Sequence, residues 1–263
     1  MNYYNEWEPF AGEWLKELIK DGLIPDGTVD SRSIADVEPS DLKGFTQCHF
    51  FAGIGGWSRA LELAGWEPSR PVWTGSPPCQ PFSTAGSRTG KSDTERHLWP
   101  VFFDLISKCR PPTVFGEQVA SAIRFGWLDD VQRDLEAEDY AAAAVVLPSG
   151  AVHAPHKRER LFFVADSLSK GLQGHGQSGQ KPVPQERQRE TRHCSQGSFW
   201  DSSTPIHCRD NKHRPSPTEP SLFPLVNGLP NRVGILRGAG NAIVPQAAAE
   251  IIKAFMETYI KLE

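Results

Sequence analysis

A cysteine and a glutamate stand where the sequence can bring a nucleophile and a proton donor into one pocket. Cys79 lies in the proline-rich loop Pro77-Pro-Cys-Gln-Pro-Phe-Ser83, and Glu117 follows the apolar residues Val114 and Phe115. A thiol on a rigid, exposed turn favours a nucleophile over a core residue. A thiolate beside a carboxyl group suits attack on an electron-poor ring whose nitrogen must be protonated or hydrogen-bonded as charge develops.

These residues need strands that end at one edge of a sheet, and the chain supplies them. Apolar runs predict strands at 48–52, 71–74, 113–115, 142–147 and 161–165. Helical periodicity predicts helices at 10–19, 57–64, 98–108, 123–137 and from 248 onward. Strands that alternate with helices in this way indicate a parallel sheet, which binds its ligands at the carboxyl ends of its strands. The sequence therefore predicts an α/β fold, with a Rossmann-like, mostly parallel sheet and helices on both faces.

A glycine-rich turn, Phe51-Ala-Gly-Ile-Gly-Gly56, joins a predicted strand to a predicted helix. Glycine permits a tight turn and lets backbone N–H groups approach a bound ligand. Taken alone this turn is a weak indication of a binding site, because similar turns also serve packing.

Composition divides the chain into four parts. We predict an N-terminal helical extension over 1–44, a catalytic domain over 45–166, a flexible insertion with a small, irregular recognition region over 167–235, and a return to the catalytic domain over 236–263. The stretch 167–199 is rich in Gly, Gln, Ser and Arg and has too few large apolar residues to form a core.

Charge is unevenly distributed along the chain. Residues 1–43 hold ten acidic and four basic side chains, whereas 167–216 hold eight basic and four acidic ones. A polyanion would be attracted by one part and repelled by the other, although ordinary solvated surface has the same appearance.

Several classes of protein are disfavoured. A membrane span needs about 20 consecutive apolar residues, and no run in the sequence approaches this length. The N-terminus is acidic, whereas a signal peptide begins with basic residues followed by apolar ones. We therefore expect a cytoplasmic protein. Five Cys without a CxxC pair disfavour a disulfide framework. The pairs His193-Cys194 and His207-Cys208 lack the usual ligand spacing of zinc sites, so no metal is expected.

The order of five motifs resembles that of the DNA (cytosine-5) methyltransferase family. In chain order they are the cofactor loop Phe51–Gly56, the nucleophile loop Pro77–Ser83, Gly116-Glu-Gln-Val119, Pro155-His-Lys-Arg-Glu-Arg160 and Gly240-Asn-Ala-Ile-Val-Pro245. They span about residues 45–255, and the nucleophile loop is highly specific. Residues 184–189 match the arginine element more literally, but no strand follows them, so we prefer 155–160.

The resemblance implies that S-adenosylmethionine donates a methyl group to C5 of cytosine in double-stranded DNA. Cys79 would attack C6 of a flipped base and Glu117 would hold N3. Arg158 and Arg160 would brace the base, the nucleophile loop and nearby phosphate. The implied cofactor-binding residues are Phe51, Gly53, Gly55, Gly56, Asn241 and Ala242. The expected DNA-binding residues are Gln80, Ser83, Arg209, Lys212 and Arg214. We expect a monomer. The resemblance also implies a role in a restriction–modification system.

The sequence departs from the family pattern in one major way. Members usually place two strands and a helix between the cofactor and nucleophile loops, with a Glu for the ribose and an Asp for the adenine. Only 23 positions separate Gly56 from Cys79, too few for this unit. We therefore expect both acidic residues to lack counterparts and cofactor binding to be weak. Gln118 in place of the family's Asn is a milder change.

Other functions stay open. The chain could be a catalytically impaired homologue that flips or masks cytosine in DNA, or a cytosine-5 methyltransferase that acts on RNA. A thiol hydrolase is least favoured, because no His is linked to Cys79 by a motif. The joint presence of Cys79, Glu117, Arg158 and Arg160 argues against simple loss of activity.

Overall fold

The structure, a computed structural model, describes residues 1–78, 98–154, 158–167, 204–207, 213–216, 238 and 240–260. Seven strands form one sheet in the spatial order β2-β1-β3-β4-β5-β7-β6. They are β1 (Asn2–Asn5), β2 (Gly27–Asp30), β3 (Gln47–Phe50), β4 (Val72–Gly75), β5 (Thr113–Val119), β6 (Ala141–Pro148) and β7 (Glu159–Asp166). Strands β1 to β5 pair in parallel, and β7 is antiparallel to both β5 and β6. The predicted mostly parallel α/β fold is confirmed.

Helices cover both faces of this sheet. They are α1 (Pro9–Lys20), α2 (Gly56–Ala64), α3 (Trp99–Cys109), α4 (Trp127–Ala137) and α5 (Pro245–Ile260). Successive side chains of a strand point to opposite faces, and Val114 and Phe115 of β5 accordingly join two different cores. The core containing Val114 includes residues of α3 and α4, whereas that containing Phe115 includes residues of α2 and α5. A separate antiparallel pair consists of β8 (Thr204–His207) and β9 (His213–Ser216).

The prediction of a helical extension over 1–44 is wrong. This segment contains α1, but it also contributes β1 and β2 to the main sheet, and β1 lies between β2 and β3. The sequence signal is weak because each strand has only four residues and β1 begins and ends with asparagine. Both asparagines are buried, and the amide of Asn5 donates to the backbone carbonyls of Asp30 and Arg32.

Candidate active site

The carboxyl ends of three adjacent parallel strands form the edge at which the predicted motifs meet. Phe50 of β3, Gly75 of β4 and Gly116 of β5 lie side by side in register. The glycine-rich turn follows Phe50, and the nucleophile loop begins after Gly75. Glu117 comes next after Gly116, so the structure brings the start of both loops and the predicted carboxylate to one edge.

Two glycines in this row allow large rings to pack directly beneath the edge. A Cβ atom on Gly75 would lie 2.5 Å from the ring of Phe102, and one on Gly116 would lie 2.0 Å from the ring of Phe163. Neither distance is possible for a real Cβ atom, and both rings belong to a densely packed core. The site therefore rests on a rigid aromatic floor.

Glu117 is a buried carboxyl group held by an arginine from the neighbouring strand. The Arg160 Nε atom lies 2.6 Å from Oε1 of Glu117, and the Ser76 hydroxyl also donates to this carboxylate. Burial raises the pKa of Glu117, and the positive charges of Arg160 and Arg158 only partly oppose this. The group thus keeps its proton to a higher pH than an exposed glutamate does.

Gln118 ties this strand to the nucleophile loop. Its amide nitrogen donates to the carbonyl oxygen of Pro77 at 3.0 Å, while its side-chain oxygen accepts from the backbone N–H of Val119. The side chain that replaces the family's asparagine therefore fixes the first residues of the loop that carries Cys79.

Arg158 has a partner that the sequence did not indicate. Its two terminal nitrogens donate to the carbonyl oxygens of Gly240 and Ala242, at 2.8 and 2.9 Å. Burial lowers the pKa of Arg158, and within the described residues its Nε atom has no hydrogen-bond partner. Arg158 thereby fastens the start of β7 to the last motif, which includes Asn241, whereas Arg160 alone forms the ion pair with Glu117.

The glycine-rich turn uses the left-handed backbone region, which glycine adopts without strain. Gly53 and Gly55 have φ values of 56° and 78°, and Phe51 reaches 52°, an uncommon value for a residue with a side chain. The backbone N–H of Gly53 donates to the carboxylate of Glu6 at 2.7 Å. Gly56 faces the last motif so closely that a Cβ atom there would lie 2.8 Å from Ile243.

An open cleft of about 110 Å³ lies beside this turn. Its lining residues are Asn5, Trp7, Ser33, Ile34, Phe51 and Leu98. The side chain of Trp7 is 70% exposed, which is unusual for so large an apolar ring. Of these six residues, sequence reasoning identified only Phe51. The sequence signal that could have identified Trp7 is its position after Glu6, directly behind the short strand β1.

As expected, no strand–helix–strand unit lies between the cofactor loop and the start of the nucleophile loop, where only α2 and β4 follow β3. The expectation that both acidic residues lack counterparts is wrong, because the chain has such a unit in another place. Strand β1, helix α1 and strand β2 form such a unit next to β3, but they precede the cofactor loop in the chain. Glu6 follows β1 and Asp30 ends β2, so a carboxylate stands at the end of each strand. The carboxylate of Glu6 contacts the glycine-rich turn, whereas that of Asp30 is occupied by Arg32 and Tyr3.

Several predicted site residues lie outside the described residues. They are Cys79, Gln80, Ser83, Arg209 and Lys212, together with His156 and residues 184–189. Arg214 belongs to β9. Their roles stay predictions. Among the described side chains, no group of three or more His, Cys, Asp or Glu could hold a metal ion. No helix within the described ranges is long and apolar enough to cross a bilayer.

Comparison with known proteins finds relatives that are named Type II methyltransferases. The Type II methyltransferase M.AplI of Arthrospira platensis is 34% identical over 96 residues, which are 36% of this chain and 28% of that protein. The Type II methyltransferase M.HhaI of Haemophilus parahaemolyticus is 26% identical over 170 residues, 49% of this chain and 51% of that protein. The chain thus spans about half or less of the length of these relatives.

Two solved structures resemble parts of the chain. The Schizosaccharomyces pombe Dnmt2 methyltransferase has a TM-score of 0.41 and 15% identity, over 69% of this chain and 57% of that one. A putative DNA modification methyltransferase encoded in an Escherichia coli prophage has a TM-score of 0.40 and 16% identity, over 63% and 46%. The family model for the C-5 cytosine-specific DNA methylase matches residues 70–206, more than half of the chain. The chain therefore belongs to the C-5 cytosine-specific DNA methylase family.

Proposed function

We propose that this protein transfers a methyl group from S-adenosylmethionine to C5 of cytosine in DNA. One observation carries the proposal: a buried glutamate, paired with Arg160, stands where the nucleophile loop leaves the sheet and is tied to that loop through Gln118. Family membership and relatives named as Type II methyltransferases support the same chemistry.

In the proposed reaction, the thiolate of Cys79 adds to C6 of a cytosine turned out of the duplex. Glu117, which burial keeps protonated to higher pH, donates to N3 as electron density moves into the ring. When bound, S-adenosylmethionine supplies an electrophilic methyl group for C5. A water molecule then takes the C5 proton, the electron pair of that C–H bond forms the C5–C6 double bond, and the C6–S bond breaks to release the thiolate of Cys79. The proton on N3 returns to Glu117.

We propose that the cleft beside the glycine-rich turn receives the adenosine part of S-adenosylmethionine. We infer that Glu6 serves as the carboxylate for the ribose hydroxyls, because it follows β1 and already contacts the turn at Gly53. Ser33 and Ile34, which line the cleft, would form the wall on the adenine side. Trp7 and Phe51 offer aromatic surface. Cofactor binding is thus no longer expected to be weak.

The remaining DNA contacts stay as proposals from the sequence. Gln80 and Ser83 would meet the substrate strand near the reacting base. The basic residues Arg209, Lys212 and Arg214 would contribute to recognition, in a segment whose charge favours a polyanion.

The proposed function is tested with labelled S-adenosylmethionine and mixed duplex DNA, followed by nucleoside analysis. We expect 5-methylcytosine from the wild-type protein and none from Cys79→Ala. A duplex containing 5-fluorocytosine should form a covalent adduct with the wild type, because fluorine blocks loss of the C5 substituent. Cys109→Ala is the matched control, since Cys109 is a partly buried thiol on α3.

Three outcomes would contradict parts of this assignment. An adduct formed by the Cys79→Ala variant would show that Cys79 is not the nucleophile. Tight DNA binding without any 5-methylcytosine would identify a homologue that masks cytosine. Methylation of transfer RNA without methylation of DNA would show that the substrate is RNA.

A further inference from the structure

We propose that Arg32 is a positioning residue for the cofactor, which holds the Ser33–Ile34 wall of the cleft in place from outside. The inference rests on the proposed function, since it takes this cleft as the site of S-adenosylmethionine. Arg32 is not among the residues that line the cleft, so any effect on the ligand must act through the wall.

The guanidinium of Arg32 joins the chain before the wall to the chain after it. On one side, Nε and Nη2 donate to Oδ2 of Asp30 at 3.0 and 2.7 Å. On the other side, Nη2 donates to Asp41 at 2.8 Å and Nη1 to the carbonyl oxygen of Asp36 at 3.2 Å. Ser33 and Ile34 lie between these anchors, so their backbone is closed into a fixed loop.

The same network reaches another residue that lines the cleft. The amide of Asn5, which lines the cleft, donates to the carbonyl oxygen of Arg32 at 2.9 Å. Within the wall, Ser33 accepts from the N–H of Ala35, and Ile34 is 3% exposed. The position of the wall relative to β1 therefore depends on the backbone that Arg32 fixes.

Both carboxylates around Arg32 are ionised at neutral pH. Burial alone would raise the pKa of Asp30, but hydrogen bonds from Arg32 and Tyr3 bring it below its usual value. The N–H of Glu38 and the Arg32 side chain lower the pKa of Asp41. Loss of the guanidinium would leave two neighbouring carboxylates without their shared cation, and their repulsion would open the loop.

An exposed ion pair usually contributes little, so the control must separate this network from an ordinary one. Arg59 pairs with Glu62 at 2.6 Å on the surface of α2, one turn apart, and its side chain is half exposed like that of Arg32. Arg59→Ala removes the same charge from a helix surface and should leave cofactor binding unchanged.

The experiment measures the Kd of S-adenosylhomocysteine by calorimetry in the absence of DNA, together with KM for S-adenosylmethionine and kcat. We expect Arg32→Ala to raise both Kd and KM about tenfold, with kcat at saturating cofactor unchanged. Arg32→Lys should recover only part of the affinity, because an ammonium group cannot bridge Asp30, Asp41 and the Asp36 carbonyl together. Should Arg32→Ala fail to fold, Asp41→Asn breaks one anchor and leaves the Asp30 pair, with a smaller increase expected.

The two proposals fail in distinguishable ways. If the wild type binds S-adenosylhomocysteine and Arg32→Ala binds it equally well, the role of Arg32 is overturned while the proposed function stands. A fall in kcat with unchanged KM would also overturn it. If the wild type does not bind S-adenosylhomocysteine at all, the cofactor assignment fails and the role of Arg32 fails with it.

Discussion

Glu117 and Asp30 each pair with an arginine at almost the same distance, 2.6 and 2.7 Å, yet their pKa values move in opposite directions. The pKa of Glu117 is raised because burial outweighs the charge of Arg160. Burial also raises the pKa of Asp30, but hydrogen bonds from Arg32 and Tyr3 outweigh this effect and bring the pKa below its usual value. The distance to a cation therefore does not decide the direction of the pKa shift here; the balance between desolvation and hydrogen bonds does.

The opposite pKa shifts divide the site into two parts, which we call the reacting side and the shaping side. The reacting side, at the ends of β4, β5 and β7, keeps a carboxyl group that can hold and donate a proton. The shaping side, beside β1 and β2, has two ionised carboxylates, Asp30 and Asp41, that fix the loop after β2. Glu6 stands between the two: burial raises its pKa, and its two oxygens accept from the N–H groups of Glu8 and Gly53.

The largest effect is expected on the reacting side. Glu117→Gln should lower kcat by about 10²- to 10⁴-fold, because the amide can donate a hydrogen bond to N3 but cannot supply a proton. In the wild type, kcat/KM for DNA should fall as pH rises through the raised pKa of Glu117, and the variant should lack this limb. Steady-state rates over a pH series measure both. Glu62→Gln, on the exposed face of α2, is the control.

A Glu117→Gln variant with wild-type rates and an unchanged pH profile would contradict the proton-donating role. The comparison with Asp30 would then lose its functional meaning, although the difference in burial would stand.

The second effect concerns the cofactor side. Glu6→Ala should weaken S-adenosylhomocysteine binding about tenfold to a hundredfold, because a charge-assisted hydrogen bond to the ribose is removed. Calorimetry measures it, with Glu13→Ala as the control, since Glu13 forms only an exposed pair with Lys16 on α1. Equal binding by Glu6→Ala and the wild type would show that the carboxylate serves only to hold Gly53.

The sequence was sufficient for the reacting side because each element there has a strong local signal. Strands β3, β4, β5 and β7 are apolar runs, and the motifs lie at their ends, so the position of Glu117 followed from the general rule for parallel sheets. The ion pair with Arg160 was not predicted, because it depends on the antiparallel register of β5 and β7, in which Arg160 faces Val119.

The shaping side was hidden for two physical reasons. Strand β1 is stabilised by buried polar side chains, such as the amides of Asn2 and Asn5, so it lacks the apolar signature of a core strand. Its place in the sheet also depends on pairing with β3, more than 40 residues later. Strands β1 and β2 also precede the cofactor loop in the chain, so the interval between the cofactor and nucleophile loops does not contain them.

A third titratable group, His49, is buried on β3, and among the described residues no charged group shifts its pKa. It is 1% exposed on β3, its Nδ1 lies 2.8 Å from the Thr74 hydroxyl, and its ring stacks on Tyr4. Burial lowers the pKa of His49 to about 3. The unfolded chain therefore binds a proton near pH 6.5 that the folded protein excludes. The resulting stability is complete above pH 6.5 and is lost as pH falls toward 3.

This sign gives a prediction for the free energy of unfolding. Between pH 7 and pH 5 the contribution of His49 should fall by about 2 kcal/mol, since each pH unit corresponds to about 1.4 kcal/mol. Urea unfolding at both pH values measures it. His49→Gln, whatever its stability at pH 7, should lose about 2 kcal/mol less on acidification than the wild type. Parallel losses in the two proteins would show that other groups dominate.

The smallest effect is expected from the basic segment 170–192, which the sequence predicts to act through its charge. Residues 170–192 hold five basic and two acidic side chains among Gly and Gln, with no helix or strand periodicity. From this composition we predict that the segment binds phosphates and makes no rigid base contacts. Deleting 170–192 should weaken DNA binding by less than about tenfold at 0.15 M salt, and should reduce the salt slope by about 0.9 for each phosphate that the protein no longer neutralises. The sequence context of methylated cytosines should stay the same. A changed context with unchanged affinity would assign base recognition to this segment in place of Arg209, Lys212 and Arg214.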